Sequence, residues 1–206
     1  MPHTALLLLP LVLAAPVAAA DEWSLARDHQ GVRIYRRPVG FSKVDAVRAE
    51  IEVALPAERL FRLLGDIEAY PELMPPTVVA RRIKDEGERR SYYMEIDPPV
   101  VARRYYCMQV RMSRRGDGVL RSEWSAFTDG CPAPPRRMVR MSDNAGAWTL
   151  VPLGAARTRV IYEAHADPGG AIPAWMVNRA ATTQLVDLLQ TLAKAAALPR
   201  YEAPAR

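Results

Sequence analysis

Between residues 78 and 167 the chain is a succession of short runs rich in Val, Tyr, Met, Thr and Trp, cut by turn residues in DEGE, RRGDG, DGCPAPP, SDNAG and LGAA. Breaks this short leave no room for crossover helices, so each run returns beside the last and the segment reads as an antiparallel meander. Ahead of it, DAVRAEIEVAL alternates. Val47, Ala49, Ile51, Val53 and Leu55 fall on one face, and Ala46, Arg48, Glu50 and Glu52 on the other, which is a strand with one wet face. In the last strand Thr158, Val160, Tyr162, Ala164 and Ala166 share a face, and in VLRSEWSAF Leu120, Ser122, Trp124 and Ala126 form the less charged one.

Helical periodicity occurs at three places. DEWSLARDHQ reads as a short opening helix in which Trp23 shares a face with Ala26 or Leu25, and GVRIYRRPV follows as a strand. Pro56 stands where a helix starts, its missing N–H costing nothing, and Leu60, Leu63, Leu64 and Ile67 continue at helical spacing until AYPELMPPT ends the run. The longest helix follows Pro173 and runs to about Ala197. It carries Ala174, Val177, Asn178, Ala181, Leu185, Leu188, Leu189, Leu192 and Ala195 or Ala196 on one side, with Asp187, Gln190, Thr191 and Lys194 on the other. A curved antiparallel sheet with one long helix laid against it is an α+β architecture.

The N-terminal half of that helix is built from small or polar residues: Ala174, Asn178, Ala181 and Thr182. The strand faces expected opposite also contain Ala164, Ala166, Ser122 and Ala126. Two outcomes stay open. The sheet closes tighter there, or a void remains whose apolar walls and few polar groups have the composition of a ligand pocket.

The first twenty residues, MPHTALLLLPLVLAAPVAAA, read as a secretory signal peptide with a small-residue exit at Ala18, Ala19 and Ala20. An uncleaved anchor is the competing reading, because no Lys or Arg precedes the apolar run. The remaining chain is expected to form one domain over residues 21–200, with a tail at 201–206, exported to a periplasmic, oxidising compartment. There, a lone pair of cysteines, Cys107 and Cys131, ends as one disulfide or as two inert buried thiols. No Cys/His spacing resembles a metal site. The net charge of +5 is carried by arginine pairs such as Arg81-Arg82, Arg89-Arg90, Arg114-Arg115 and Arg136-Arg137. These read as solvated strand ends or as a surface for anionic phospholipid headgroups, and no nucleic-acid motif accompanies them. Catalysis would need a nucleophile with a base or two poised carboxylates. Neither histidine of the exported chain has a credible partner, and there is no G-x-S-x-G and no phosphate loop.

HADPGGAIPAWMVNRAATTQLVDLL resembles the C-terminal signature of START lipid-transfer domains, in which a D-x-x-G-x-[IL]-P-x-W-[ML]-[VI]-N segment joins the last strand to the closing helix. GAWTLVPLGAARTRVIYEAHADPGG is similar to the family's preceding hairpin, DIEAYPELMPPTVVARRIKD to its early helix-to-strand passage, and PPVVARRYY to its P-V-x-x-R-[DN]-[FY] segment. The likeness covers about residues 22 to 197. It implies the helix-grip fold, with the sheet wrapped around the C-terminal helix to enclose one sterol, phospholipid or similar lipid. It further implies a hinge from Asp167 to Trp175 containing Gly169 and Gly170, and a gate loop at 128–136 with Pro132, Pro134 and Pro135.

Carried over position by position, the lipid cavity is expected to be lined by Glu95, Arg103, Tyr105, Gln109, Trp124, Val160, Tyr162, Val177, Asn178, Ala181, Leu185 and Leu188. Two positions depart from the family pattern. Where many members place an acid on one strand and an arginine on the next, this chain has Glu95 and Gln109, so a buried Glu95 needs Arg103, another donor, water or a proton. Arg104 replaces the usual aspartate. Around Cys107 the apolar alternation favours Tyr106, Met108 and Val110 inward, whereas the resemblance favours Tyr105, Cys107 and Gln109; the family register is the one adopted. A Cys107 to Cys131 disulfide would tether the gate loop to the sheet.

The implied activity is non-enzymatic lipid carriage by a monomer that visits an anionic membrane and uses no cofactor. A helix-grip cyclase or hydrolase, or a lipid sensor, is the alternative. Burying about 500 Å² of apolar ligand at roughly 25 cal/mol/Å² contributes on the order of 12 kcal/mol before ordering losses, enough for shape and burial alone to hold a lipid.

Overall fold

A computed structural model describes residues 22–202 except 100 and 142; the expected signal segment lies outside the described residues. Ten strands form one sheet: β1 (Ser24–His29), β2 (Val32–Val39), β3 (Ser42–Val53), β4 (Thr77–Glu86), β5 (Arg89–Ile96), β6 (Arg104–Arg114), β7 (Leu120–Phe127), β8 (Val139–Arg140), β9 (Asp143–Pro152) and β10 (Thr158–Asp167). Their order is β1-β2-β3-β10-β9-β7-β6-β5-β4, and β8 pairs with the start of β6. Three α-helices accompany the sheet: α1 (Ala57–Gly65), the single turn α2 (Tyr70–Leu73) and α3 (Ala174–Ala196). The meander, the helix after Pro56 and the long closing helix stand where the periodicities put them.

The opening segment does not. Residues 24–29 form β1, paired with β2 from Ser24↔Arg36 to His29↔Val32, in place of the expected helix. Gln30 and Gly31 both take left-handed backbone angles, φ 51° and 77°, which is the two-residue turn that matches the twist of a hairpin. A ten-residue segment such as DEWSLARDHQ is too short to hold a helix on propensity alone, so the ladder with β2 wins.

One face of the sheet is the core face. Val32 and Ile34 of β2, Ala49 of β3, Leu150 of β9 and Val160 of β10 are completely buried, and they pack with Leu60, Leu63 and Leu64 of α1 and Leu189 and Leu192 of α3. A second cluster continues the same face across β5 and β6 with Tyr92, Met94, Tyr106, Met108 and Val110. The pairs Tyr92↔Met108, Met94↔Tyr106 and Val110↔Trp124 fix this register. The expectation that Tyr105, Cys107 and Gln109 point inward is therefore corrected: they lie on the opposite face. A one-residue slip inverts every side chain of a strand, and burying Tyr106, Met108 and Val110 together removes far more apolar surface from water than the alternative set.

The long helix is held unequally along its length. Its fully buried residues are Leu185, Val186, Leu189, Leu192, Ala195 and Ala196, all in the C-terminal half. That half is also capped by α1. The Arg59 guanidinium donates to the carbonyls of Ala196 at 3.0 Å, Ala197 at 2.6 Å and Leu198 at 3.1 Å, and Arg62 donates to Tyr201 O at 2.8 Å. These satisfy carbonyls that a helix end leaves without intrahelical partners. The ordered fold runs past the expected domain end at residue 200: Tyr201 is buried and its hydroxyl donates to Asp66 at 2.8 Å. The rest of the tail lies outside the described residues.

Candidate lipid-binding site

The N-terminal half of α3 faces the core side of the sheet without packing down on it. From Ala174 to Gln184 no side chain is fully buried, although Val177 and Ala181 lie on the helix face that Leu185 continues into the core. The helix backbone runs close to β1, β2, β3 and α1 and less close to β5, β6 and β7. Its small residues, among them Ala174, Ala180 and Ala181, bring little side-chain volume to this stretch.

Aromatic side chains form the facing wall. Trp124 of β7 stacks on Tyr162 of β10 with ring centroids 5.6 Å apart, and Tyr162 meets Trp148 of β9 at 4.5 Å. Gly146 lets Trp124 lie flat across β9, since a Cβ there would stand 2.5 Å from the indole and 2.4 Å from the Glu163 carbonyl. The Trp124 indole N–H donates to Asn144 Oδ1 at 2.9 Å. Trp124, Tyr162, Met112 and Tyr70 pack against the core cluster yet remain only half-buried.

The surroundings of the phenols on this face are of low polarity. Burial pushes the Tyr162 and Tyr70 phenols well above their ordinary range, and it raises Tyr106 to about 12 although the Asn144 amide beside it pulls the other way. The wall thus combines apolar surface with a small polar group made of Asn144, Tyr106 and Tyr162. Such an arrangement can orient a ligand carrying one polar end.

Of the expected lining residues, Trp124, Val160, Tyr162, Ala181, Leu185 and Leu188 are brought together in one cluster on the core side, with Val177 on the same helix. Val160 and Leu185 are buried within it rather than bordering open space. Asn178 is drawn away to the β2–β3 hairpin, where its Oδ1 accepts from Asp45 N–H at 2.9 Å and its Nδ2 donates to Lys43 O at 3.4 Å. Glu95, Tyr105 and Gln109 lie on the far face, as the register requires. Glu95 is buried there and accepts from the Tyr93 hydroxyl at 2.9 Å, while Arg103 pairs with Asp97 at 2.9 Å near the surface. Burial, and then this hydrogen bond, push the Tyr93 phenol up. Tyr106, Asn144, Gly146 and Tyr70 escaped the sequence reading. Even-numbered alternation in β6 and β9 was the available signal for the first three, overridden for Tyr106 by the family register.

The far face carries a groove of its own, about 810 Å³, lined by Trp23, Val39, Phe41 and Ala147 as well as by Arg37, Arg89, Gln109, Arg111, Arg121 and Glu123. It is open to solvent and mixed in character, with four arginines beside its apolar residues.

The gate elements meet at one end of the sheet. Cys107 and Cys131 are joined by a disulfide that ties the loop after β7 to the far face of β6. Pro132 and Pro134 are half-buried in that loop and Pro135 is exposed. The loop returns as β8 and touches the hinge: a Cβ on Gly169 would lie 2.8 Å from Arg140 O, and one on Gly170 would contact Val139. Both glycines hold left-handed φ, 67° and 74°, which other residues resist. The buried Arg104 bridges the same elements, donating to Pro168 O at 3.4 Å and to Ala102 O. Among the described residues no His, Cys, Asp and Glu group could hold a metal, and no helix is long and apolar enough to cross a membrane.

Comparison with known proteins agrees with this geometry. A START-related lipid transfer protein of Xanthomonas axonopodis superposes with a TM-score of 0.78 at 28% identity, over 86% of this chain and 100% of that one. Human StAR-related lipid transfer protein 5 shares the fold, with a TM-score of 0.78 at 19% identity over 87% of each chain. The Zhui aromatase/cyclase of Streptomyces also shares it more distantly, with a TM-score of 0.52 at 16% identity over 73% of this chain and 92% of that one. An uncharacterized protein of Pseudomonas aeruginosa is 29% identical over 90% of this chain and 95% of its own length. Residues 53–193 match the family described as polyketide cyclase / dehydrase and lipid transport. With a curved antiparallel sheet gripping one long C-terminal helix and this match across most of its length, the chain belongs to that family and has the helix-grip fold of its START domains.

Proposed function

We propose that this protein is an exported, non-enzymatic carrier of one lipid, held between the aromatic wall of β7, β9 and β10 and the N-terminal half of α3. The observation that carries this reading is the contrast within α3: its C-terminal half is buried and capped, and its N-terminal half has no fully buried side chain. The ligand would present its apolar body to Trp124, Tyr162 and Met112, and its polar end to Asn144, Tyr106 and the Tyr162 hydroxyl. Opening would pivot at Gly169 and Gly170, with Asn178 as the latch and the disulfide-tethered loop limiting the travel of the gate.

The relatives named as lipid transfer proteins favour carriage over turnover, and the phenols on the wall, held protonated by burial, are poor bases. A periplasmic location accords with the disulfide, which persists in oxidising compartments. Native mass spectrometry of protein purified from its own host tests the proposal directly. An intact lipid is expected, followed by protein-dependent transfer of that lipid between vesicles. Recovery of a chemically altered product, or turnover of a lipid extract, would place the protein with the family's cyclases instead.

A further inference from the structure

The four most exposed large apolar side chains are Phe41 at 75%, Trp175 at 66%, Leu25 at 58% and Met176 at 40%. All four stand at the same end of the molecule. Leu25 opens β1, Phe41 is in the β2–β3 turn, and Trp175 and Met176 form the first turn of α3. Antiparallel pairing brings the start of β1, the β2–β3 turn, the end of β10 and the start of β9 to this one rim. The Asn178 hydrogen bonds to Asp45 and Lys43 hold the first turns of α3 beside the turn that carries Phe41. Phe41 is propped outward, its ring edge against His165 with centroids 5.0 Å apart. The hinge glycines and β8 lie at the same rim.

Exposed cations outnumber exposed carboxylates there. Lys43, Arg136, Arg137 and Arg179 are exposed, against Glu22 and Asp129, and the other carboxylates of this end have partners within the fold. Asp45 faces Arg36 at 3.6 Å, Asp97 faces Arg103 at 2.9 Å, Asp143 faces His165 at 3.0 Å, and Asp167 accepts from Gly169 N–H at 2.9 Å. An apolar, partly aromatic tip ringed by outward cations is complementary to one kind of surface, an anionic phospholipid bilayer: the rings enter the headgroup boundary while the cations meet the phosphates.

We infer that Phe41, Trp175, Met176 and Leu25 form a membrane-insertion rim that seats the mouth of the site in an anionic bilayer. This rests on the carrier reading and names the surface from which it would load, yet the two fail separately. The test uses the purified protein and vesicles of phosphatidylcholine with an equal part of phosphatidylglycerol. Wild-type protein is expected to co-sediment with them, to bind vesicles of phosphatidylcholine alone more weakly, and to show tryptophan emission quenched by brominated acyl chains. The double variant Phe41→Ser, Trp175→Ser should bind about tenfold or more weakly and lose the quenching. Leu198→Ser, at the opposite end of α3, should change neither. Circular dichroism and the lipid recovered by native mass spectrometry should be the same for all three proteins, so loss of vesicle binding would reflect the rim and not the ligand site. Equal vesicle binding by the double variant would overturn the inference. So would a wild-type dimer that the double variant converts to monomer, since the rim would then cover a second copy.

Discussion

Replacing Ala181 by leucine asks whether space exists beneath the lid half of α3, and the answer is a sign. Ala181 lies one turn before the buried Leu185 and is itself half-buried against the core. Leucine adds three carbons, contributing about 2.4 kcal/mol at roughly 0.8 kcal/mol per buried CH₂, less about 0.7 kcal/mol of lost rotamer freedom. In open space the variant is therefore stabilised by about 1.7 kcal/mol, a rise in Tm of about 3–7 °C for a domain of this size. In a solidly packed interior the same carbons would force off-rotamer side chains and cost about 1–3 kcal/mol. Calorimetry should be run on delipidated protein, because bound lipid adds its own stabilisation. The variant should also retain less lipid in native mass spectrometry, since leucine takes up ligand space. A Tm lowered by several degrees with lipid content unchanged would refute both the hollow and its assignment as the binding site.

Other outcomes follow from particular contacts. Gly146→Ala pushes a methyl into Trp124 and the Glu163 carbonyl, so urea unfolding should show a loss of about 1–3 kcal/mol with a shift in tryptophan emission; unchanged emission would mean the ring does not rest on β9. Asn178→Ala removes the two hydrogen bonds to the β2–β3 hairpin and should speed lipid exchange between vesicles several-fold, with transfer kinetics as the check. Cys131→Ser frees a loop with a sequence separation of 24, worth about 3.5 kcal/mol of unfolded-state entropy, and should lower Tm by about 7–14 °C; a shift near zero would mean the loop stays closed without the bond. Tyr106 is raised to about 12 in the fold against about 10 unfolded, so its contribution is complete below about pH 10 and disappears as pH climbs toward 12. Stability should fall by about 1.4 kcal/mol per pH unit for such a tyrosine in that window, with its phenolate absorbance appearing only as the chain unfolds.

Much of this architecture is legible in the residue order, and the exceptions have identifiable causes. Alternation in DAVRAEIEVAL and in RTRVIYEAHAD is local, and local geometry alone assigns those faces. The helix after Pro56 and the one after Pro173 carry their own start signals and apolar stripes. Residues 24–29 take their conformation from pairing with β2, which the weak periodicity of DEWSLARDHQ does not announce. In β6 two registers competed, and apolar alternation was the better guide than resemblance, because which side of a strand is buried depends on what covers it. Asn178 fits a cavity by its place on the helix wheel, yet its amide is claimed by Asp45 and Lys43, residues more than 130 positions away in sequence.

What the sequence by itself determined is the kind of object: an antiparallel meander, a long helix with a small-residue half, a single cysteine pair and the signature of a lipid-binding family. Those are properties of neighbours along the chain, where spacing and side-chain size act directly. Only the tertiary structure decided that Asn144, Tyr106 and Tyr162 converge on the aromatic wall, that Arg59 clamps one end of α3 while the other stays unburied, and that the exposed Phe41 and Trp175 share a rim. These depend on which distant strands are brought side by side, and that is settled by the free energy of burying the whole core at once, not by any local pattern.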